Sequence, residues 1–150
     1  MELGGIKDAG FIVTGAAQGL GAAFAKILAS EGAAVVIADI DDGDAVIADI
    51  LATHPDARLL DVPTDVADEA ACQALVAKTE AHFGGLDILV NNAKGRFRYA
   101  PFEDLSVQDW DAMFRVTVRG SFLCAKAAAP GMRTRGYGKI INLASGTVFK

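Results

Sequence analysis

Cysteine, histidine and proline are scarce in this chain, and their scarcity excludes several kinds of protein. Only 2 cysteines, 2 histidines and 4 prolines occur among the 150 residues. Two cysteines cannot form the disulfide framework of a small secreted domain, and neither His54 nor His82 has a Cys or His partner at metal-ligand spacing. We therefore predict no metal centre, and we interpret Cys72 and Cys124, which lie in apolar helical patterns, as buried free thiols.

Long hydrophobic runs and concentrated basic charge are also absent. No apolar stretch reaches the length of about 20 residues that crosses a bilayer, and the N-terminus lacks the basic and apolar regions of a secretory signal. The 14 Lys and Arg residues are scattered and the net charge is −5, which does not suit a nucleic-acid surface. These absences predict a cytoplasmic protein that binds neither membrane nor nucleic acid.

What the chain does contain is enough apolar sequence for a folded core. Hydrophobic residues make up 52% and charged residues 22% of the sequence, a balance typical of a globular domain. A short apolar run followed by a segment of helical periodicity occurs four times, and a fifth apolar run follows. Such alternation predicts an α/β fold, a doubly wound parallel sheet with helices on both faces.

The most informative stretch runs from Phe11 to Gly21, where an apolar strand leads through glycines into a helix. Gly15 and Gly19 lie within it, before apolar residues at helical spacing. A strand, a glycine-rich turn and a helix N-terminus form an anion site, because free N–H groups and the positive end of the helix dipole point to one place. An ordinary tight turn is the alternative that this stretch alone leaves open.

The next strand favours a dinucleotide over that alternative. Residues 33–38 are apolar and lead into Asp39, which lies 20 positions after Gly19. In dinucleotide-binding βαβ units, an acidic residue about 20 positions beyond the glycines binds the adenosine ribose. No Lys-Ser or Lys-Thr follows the glycines, which excludes a phosphate loop of the NTPase type. We therefore predict a dinucleotide site.

The glycine spacing from Thr14 to Gly21, T-G-x-x-x-G-x-G, resembles that of the short-chain dehydrogenase/reductase family. The sequence 91–93, Asn-Asn-Ala, is similar to the family's N-N-A-G motif, and residues 138–145 are similar to its I-V-N-x-x-S pattern. The resemblance covers the whole chain. It implies a Rossmann-type, three-layer fold of strand order 3-2-1-4-5, with the cofactor across the switch point between strands 1 and 4.

The resemblance also implies which residues hold the cofactor. The glycine turn and the second strand would bind phosphates and ribose, the end of the third strand the adenine, and the end of the fourth strand a ribose. The implied residues are Gly15, Gln18, Gly19, Leu20, Gly21, Asp39, Ile40, Asp65, Val66, Asn92 and Ala93. From the residues alone Asp65 is equally well a turn residue, and only the resemblance favours the cofactor.

Two residues are catalytic candidates by the same resemblance. Ser145, at the end of the fifth strand, would hydrogen-bond the substrate oxygen and stabilise a developing alkoxide; a turn serine is the alternative. Thr117 stands where the family has a catalytic Asn, and one hydroxyl replaces an amide there, which leaves its proton-relay role open. The pattern also departs after Ala93, where Lys94 replaces the expected glycine and Gly95 comes one place later.

NAD rather than NADP is the expected cofactor. Asp39 can accept hydrogen bonds from both ribose hydroxyls, whereas a 2′-phosphate would meet like charge with no basic neighbour at Ala16, Ala17 or Ile40. The implied reaction is hydride transfer between a secondary alcohol or ketone and NAD(H). The family's Y-x-x-x-K motif does not occur in residues 1–150. The alternative is therefore a truncated or regulatory NAD-binding module without turnover, which is also our expectation for this chain alone.

We interpret residues 1–150 as one NAD-binding domain that is incomplete and ends just after the fifth strand. A long helix is predicted to begin at a capping box on Ser106 and to end or kink at Pro130-Gly131. Its wide apolar surface and the family resemblance imply a homo-oligomer, either a dimer or a tetramer. A fifth strand without a covering helix predicts an apolar edge and poor solubility.

Overall fold

The computed structural model describes residues 5–95 and 100–144, which contain five parallel strands and five α-helices. The strands are β1 (Gly10–Thr14), β2 (Ala34–Asp39), β3 (Arg58–Pro63), β4 (Ile88–Asn91) and β5 (Lys139–Asn142). The helices are α1 (Gly19–Ser30), α2 (Asp44–Thr53), α3 (Glu69–Phe83), α4 (Val107–Phe114) and α5 (Ser121–Arg135). The sheet order is β3-β2-β1-β4-β5, so the predicted doubly wound order is confirmed.

Different helices cover the two faces of the sheet. On one face Ile12 and Leu89 pack in a core with Leu75 of α3 and with α5. On the other face Val13 packs in a core with Ile50 of α2 and with α1. Successive residues of a strand point to opposite faces, so a strand covered on both faces is apolar throughout. This explains the unbroken apolar runs of β1 and β2.

The register brings the carboxyl ends of β1, β2 and β4 together at one end of the sheet. Thr14 pairs with Ala38, and Val13 pairs with Val90. Beyond these pairs the chain leaves β1 into the glycine turn, β2 ends at Asp39, and β4 is followed by Asn92. Because α1 leads to one face and α5 covers the other, the edge above β1 and β4 is the switch point where such sheets bind ligands.

The segment between β4 and β5 partly differs from the prediction. The capping box is present, since Ser106 Oγ accepts the N–H of Asp109 at 3.1 Å and the Ser106 N–H donates to its carboxylate at 3.0 Å. The helix does not end at Pro130, however, but continues to Arg135, and the alternative of a kink at Pro130 stays a prediction. Between α4 and α5, residues Arg115–Gly120 form a π-helical turn that the pattern did not predict.

One side of this helical segment is apolar and exposed. Its residues recur every three or four positions and are 41–71% exposed: Val107, Trp110, Phe114, Val118 and Phe122. We refer to these five residues as the apolar stripe. The other side of α5 is buried in the core through Leu123 and Ala128. Among residues 5–95 and 100–144, no helix has both the length and the apolarity to span a membrane.

Candidate functional site

The turn after β1 needs glycine at two positions for different reasons. Gly19 has φ +58°, a conformation that favours glycine, and a Cβ there would meet no described atom within 4 Å. A Cβ on Gly21 would lie 2.2 Å from the carbonyl oxygen of Gly15, so only glycine lets α1 begin this close to the turn. The result is a backbone surface that a phosphate group can approach directly.

Helix α1 begins in this turn without a capping side chain. Gln18 is its N-cap residue and makes no side-chain capping bond, and the first turn carries no acidic residue. Helix α3 is different, because the carboxylate of Asp68 caps it by accepting the N–H of Ala71 at 2.9 Å. Uncapped N–H groups and the helix dipole both favour an anion. The amino end of α1 therefore fits the diphosphate of a dinucleotide.

The predicted ribose-binding carboxylate lies against the same turn. Asp39 Oδ2 accepts the N–H of Ala17 at 3.0 Å, and Oδ1 accepts the N–H of Asp41 at 3.2 Å. These bonds hold the carboxylate, half-buried, at the end of β2, beside Ile40, whose side chain is exposed. The structure thus brings Asp39 and the glycine turn together.

Three further carboxylates lie near the end of β2. Asp42, Asp44 and Asp61 bring carboxylate oxygens within 4.8 Å of one another. Burial raises the pKa of Asp61 above its ordinary value, and the charges of Asp42, Asp44 and Asp39 raise it further, against a smaller lowering by the Gly43 backbone. Such a spacing is within reach of a cation, although Asp42 already serves the start of α2 by accepting the N–H of Asp44 at 2.6 Å. The end of β2 is therefore strongly negative.

Asp65 and Val66, which follow β3, are engaged within the protein. Asp65 Oδ1 accepts the N–H of Ala67 at 2.9 Å, which is the turn role that the residues alone allowed. Its other oxygen lies 3.9 Å from the guanidinium of Arg115. Val66 is 5% exposed, and a Cβ on Gly120 would lie 2.7 Å from its side chain. The predicted contact of Asp65 and Val66 with the adenine stays a prediction.

Thr14 ties the end of β4 to the glycine turn. Its hydroxyl oxygen accepts the N–H groups of Asn92 at 3.1 Å and of Ala93 at 3.0 Å. The side-chain amide of Asn92 donates in return to the carbonyls of Thr14 at 2.9 Å and of Gly15 at 3.0 Å. No role was predicted for Thr14, although its position directly before the first glycine is a signal that could have suggested one.

The two catalytic candidates differ in what the structure describes. Thr117 lies in the π-helical turn, and its hydroxyl oxygen accepts the N–H of Gly95 at 3.1 Å. Lys94 is exposed, whereas Gly95 is buried. Ser145 lies outside the described residues, so its role stays a prediction, as does the proton-relay role of Thr117.

Cys72 of α3 and Cys124 of α5 face each other in the core, away from the glycine turn. Their Sγ atoms are 3.5 Å apart, and both thiols are free and buried, as predicted. The hydrogen bond with Cys72 and burial raise the pKa of the Cys124 thiol far above its ordinary range. The same hydrogen bond lowers the pKa of the Cys72 thiol, whose burial acts in the opposite direction. Because both thiols are buried, we interpret the pair as part of the packing of the core.

A second concave surface lies at the opposite edge of the sheet. It has a volume of about 300 Å³ and is lined by the ends of α1 and α2 and by the segments that lead into β2 and β3. Arg58, its basic residue, is already paired with Asp8 at 3.1 Å. Since parallel α/β sheets bind ligands at the carboxyl ends of their strands, the crevice above β1 and β4 is the stronger candidate.

The strand order, the uncapped helix at the switch point and the carboxylate at the end of β2 together define a dinucleotide-binding Rossmann-type domain. A family model described as short chain dehydrogenase matches residues 10–150, and the chain belongs to this family of oxidoreductases. A nicotinamide nucleotide is therefore the class of cofactor, and the glycine turn, α1 and Asp39 fit its diphosphate and ribose.

Three comparisons illustrate the relationship. The chain is 43% identical over 136 residues to cis-4-hydroxycyclohexanecarboxylate dehydrogenase of Sinomonas cyclohexanicum, covering 89% of this chain and 53% of the relative. It is 42% identical over 136 residues to galactitol 2-dehydrogenase of Agrobacterium fabrum, covering 89% and 51%. The crystal structure of levodione reductase matches with a TM-score of 0.91 and 34% identity, covering 96% of this chain and 57% of that one. The chain thus spans about half the length of the curated relatives it matches.

Proposed function

We propose that the intact protein is an NAD-dependent dehydrogenase that transfers hydride between a secondary alcohol or ketone and the nicotinamide ring. Membership of an oxidoreductase family supports the reaction class, and the matched relatives are dehydrogenases. The observation that carries the choice of NAD is the position of Asp39, whose carboxylate is held 3.0 Å from the N–H of Ala17 at the glycine turn.

The charge around Asp39 supports NAD over NADP. A 2′-phosphate bound there would meet this carboxylate and the acidic group of Asp42, Asp44 and Asp61 nearby. Neither the turn nor β2 and its exit offers compensation, because no lysine or arginine occurs in residues 8–25 or 33–57. A 2′-hydroxyl, in contrast, can donate a hydrogen bond to the carboxylate.

In this proposal the chain binds and orients the reactants. The amino end of α1 holds the diphosphate, Asp39 holds the adenosine ribose, and Asn92 and Ala93 border the crevice near the other ribose. When bound, the nicotinamide ring supplies or accepts the hydride. Ser145 hydrogen-bonds the substrate oxygen and stabilises its negative charge.

A titration with NADH and NADPH, followed by nucleotide fluorescence, tests the cofactor. We expect NADH to bind at least about tenfold more tightly than NADPH. Asp39→Ser should weaken NADH binding, because a charge-assisted hydrogen bond is lost, and should reduce the difference in affinity between the two nucleotides, because the repulsion of the 2′-phosphate is also lost. Asp49→Ser is the matched control, since Asp49 is exposed on α2 and pairs with Lys26 at 2.8 Å. Tighter binding of NADPH would refute the proposal.

The second candidate is a nucleotide-binding module without turnover. Two departures from the family pattern favour it, namely Thr117 in place of Asn and Lys94 in place of Gly. An assay of the intact protein for NADH oxidation with a panel of ketones distinguishes the two candidates, because only the dehydrogenase consumes NADH. Binding of NADH without consumption by any ketone would favour the module.

We also propose that the protein is a homo-oligomer and that the apolar stripe forms a subunit contact. Exposed apolar patches of this kind mark association surfaces. Sedimentation should show a dimer or tetramer that Phe122→Glu dissociates, whereas Ile27→Glu, at an exposed position of α1, should not. A monomer at micromolar concentration would contradict this. Cytoplasmic residence stays a prediction, which fractionation of cells expressing the intact protein tests.

A further inference from the structure

Two threonine hydroxyls from different elements hold the backbone that follows β4. Thr14, at the end of β1, accepts the N–H groups of Asn92 and Ala93 at 3.1 and 3.0 Å. Thr117, in the π-helical turn, accepts the N–H of Gly95 at 3.1 Å. N–H groups beyond the end of a strand lose their ladder partners and need others, and these two hydroxyls supply them.

Residues 92–95 are also packed closely at both ends. A Cβ on Gly15 would lie 2.8 Å from the Cα of Ala93, so the stretch lies directly on the glycine turn. At the other end Gly95 is buried, and a Cβ there would lie 2.9 Å from the Cα of Met113 in α4. Lys94, between the two ends, is exposed. The stretch is therefore a wall of the crevice, fixed at its two ends.

Thr117 is itself held in place. The hydroxyl of Ser121 donates to the carbonyl oxygen of Thr117 at 2.7 Å. The π-helical turn around Thr117 departs from regular α-helical bonding, and such turns occur frequently at functional sites. The hydrogen bond from Ser121 thus holds the backbone of Thr117, and the Thr117 hydroxyl in turn holds the N–H of Gly95.

We propose that Thr117 is a positioning residue whose hydroxyl fixes residues 93–95 and so preorganises this wall of the crevice for the dinucleotide. The inference rests on the dinucleotide binding proposed above. Thr117 acts through Gly95 rather than by touching the cofactor. A wall that is ordered before binding loses less conformational entropy when the ligand arrives, which strengthens binding.

Substitutions of Thr117 separate the hydroxyl from the shape of the side chain. Thr117→Val keeps the branched shape without the hydroxyl, and Thr117→Ser keeps the hydroxyl. We expect Thr117→Val to speed hydrogen exchange of the Gly95 amide about tenfold and to weaken NADH binding about three- to tenfold, the effect of one lost hydrogen bond. Thr117→Ser should restore both. Thr79→Val is the control, because Thr79 is a buried threonine of α3 that donates to the Leu75 carbonyl at 2.8 Å.

Other outcomes overturn the inference. The inference fails if Thr117→Val changes neither the exchange of the Gly95 amide nor the affinity for NADH. It also fails if the variant lowers the turnover of the intact protein but leaves the affinity for NADH unchanged, which would indicate a proton relay instead. If Thr117→Val does not fold, hydrogen exchange of the Gly95 amide is measured in the wild type and in Thr117→Ser. Rapid exchange in either protein would contradict the hydrogen bond to the Thr117 hydroxyl, and slow exchange in both would support it. If the wild type binds no NADH, the proposed function fails, whereas Gly95 exchange still tests whether Thr117 holds this wall.

Discussion

The two halves of the sheet differ in how completely they are covered. Every residue of β1 and five of the six residues of β2 are buried, whereas all four residues of β5 are exposed. β2 has a strand on each side and packs in the cores on both faces of the sheet, whereas β5 pairs with β4 alone among the described strands. The half that carries the glycine turn and Asp39 is therefore supported by neighbours within the described chain, and the half that leads to Ser145 has few such neighbours.

The largest expected effect sharpens this contrast in burial. Ile37→Ala in β2 should lower the free energy of unfolding by about 2–5 kcal/mol, because Ile37 is 0% exposed and truncation leaves a cavity. In the 150-residue chain, Ile141→Ala in β5 should cost less than about 1 kcal/mol, because Ile141 is 44% exposed there. Urea denaturation of both variants measures the difference. Equal losses would show that β5 is as well supported as β2.

A smaller effect distinguishes Gly19, which we place in the cofactor site, from Gly84, which has a structural role at the end of α3. Gly19 and Gly84 both have positive φ, +58° and +84°, and a Cβ on either would meet no described atom within 4 Å. Gly19→Ala and Gly84→Ala should each lower stability by about 1–2 kcal/mol, because alanine is strained in this conformation. Only Gly19→Ala should weaken NADH binding, since its Cβ enters the crevice. Fluorescence titration and thermal melts measure the two effects, and equal NADH affinities of the two variants would contradict the site.

The smallest effect concerns the negative charge at the end of β2. Because burial raises the pKa of Asp61 in the folded state, its ionisation opposes folding, and the contribution of Asp61 to stability falls as the pH rises above its ordinary pKa of 3.8. Asp61→Asn should therefore be more stable than the wild type at pH 7, and the advantage should vanish below about pH 4. Denaturation at both pH values measures it, with Asp56→Asn in an exposed turn as control. A stability advantage of Asp61→Asn that increases as the pH falls would contradict a raised pKa of Asp61.

Local patterns predicted most of the fold because each depends on neighbouring residues. The predicted capping box at Ser106, for example, depends on residues three apart. Patterns failed where the outcome depends on packing. The helix continues through Pro130, and the rest of α5 is held in the core. The π-helical turn around Thr117 packs against Gly95 and Val66, which lie far away in the sequence.

For the site, the residue types at the ends of β1 and β2 were enough to predict a dinucleotide crevice, because the glycine spacing and the acidic residue belong to one continuous βαβ unit. The hydroxyl contacts of Thr14 and Thr117 could not be read in this way. They join residues 78 or 79 positions apart for Thr14 and 22 positions apart for Thr117, and which amide a hydroxyl meets depends on how the strands and α4 pack. Contacts between residues close in sequence can be predicted from the order of residues, whereas hydrogen bonds between distant segments form only once the folded chain has brought them within about 3 Å.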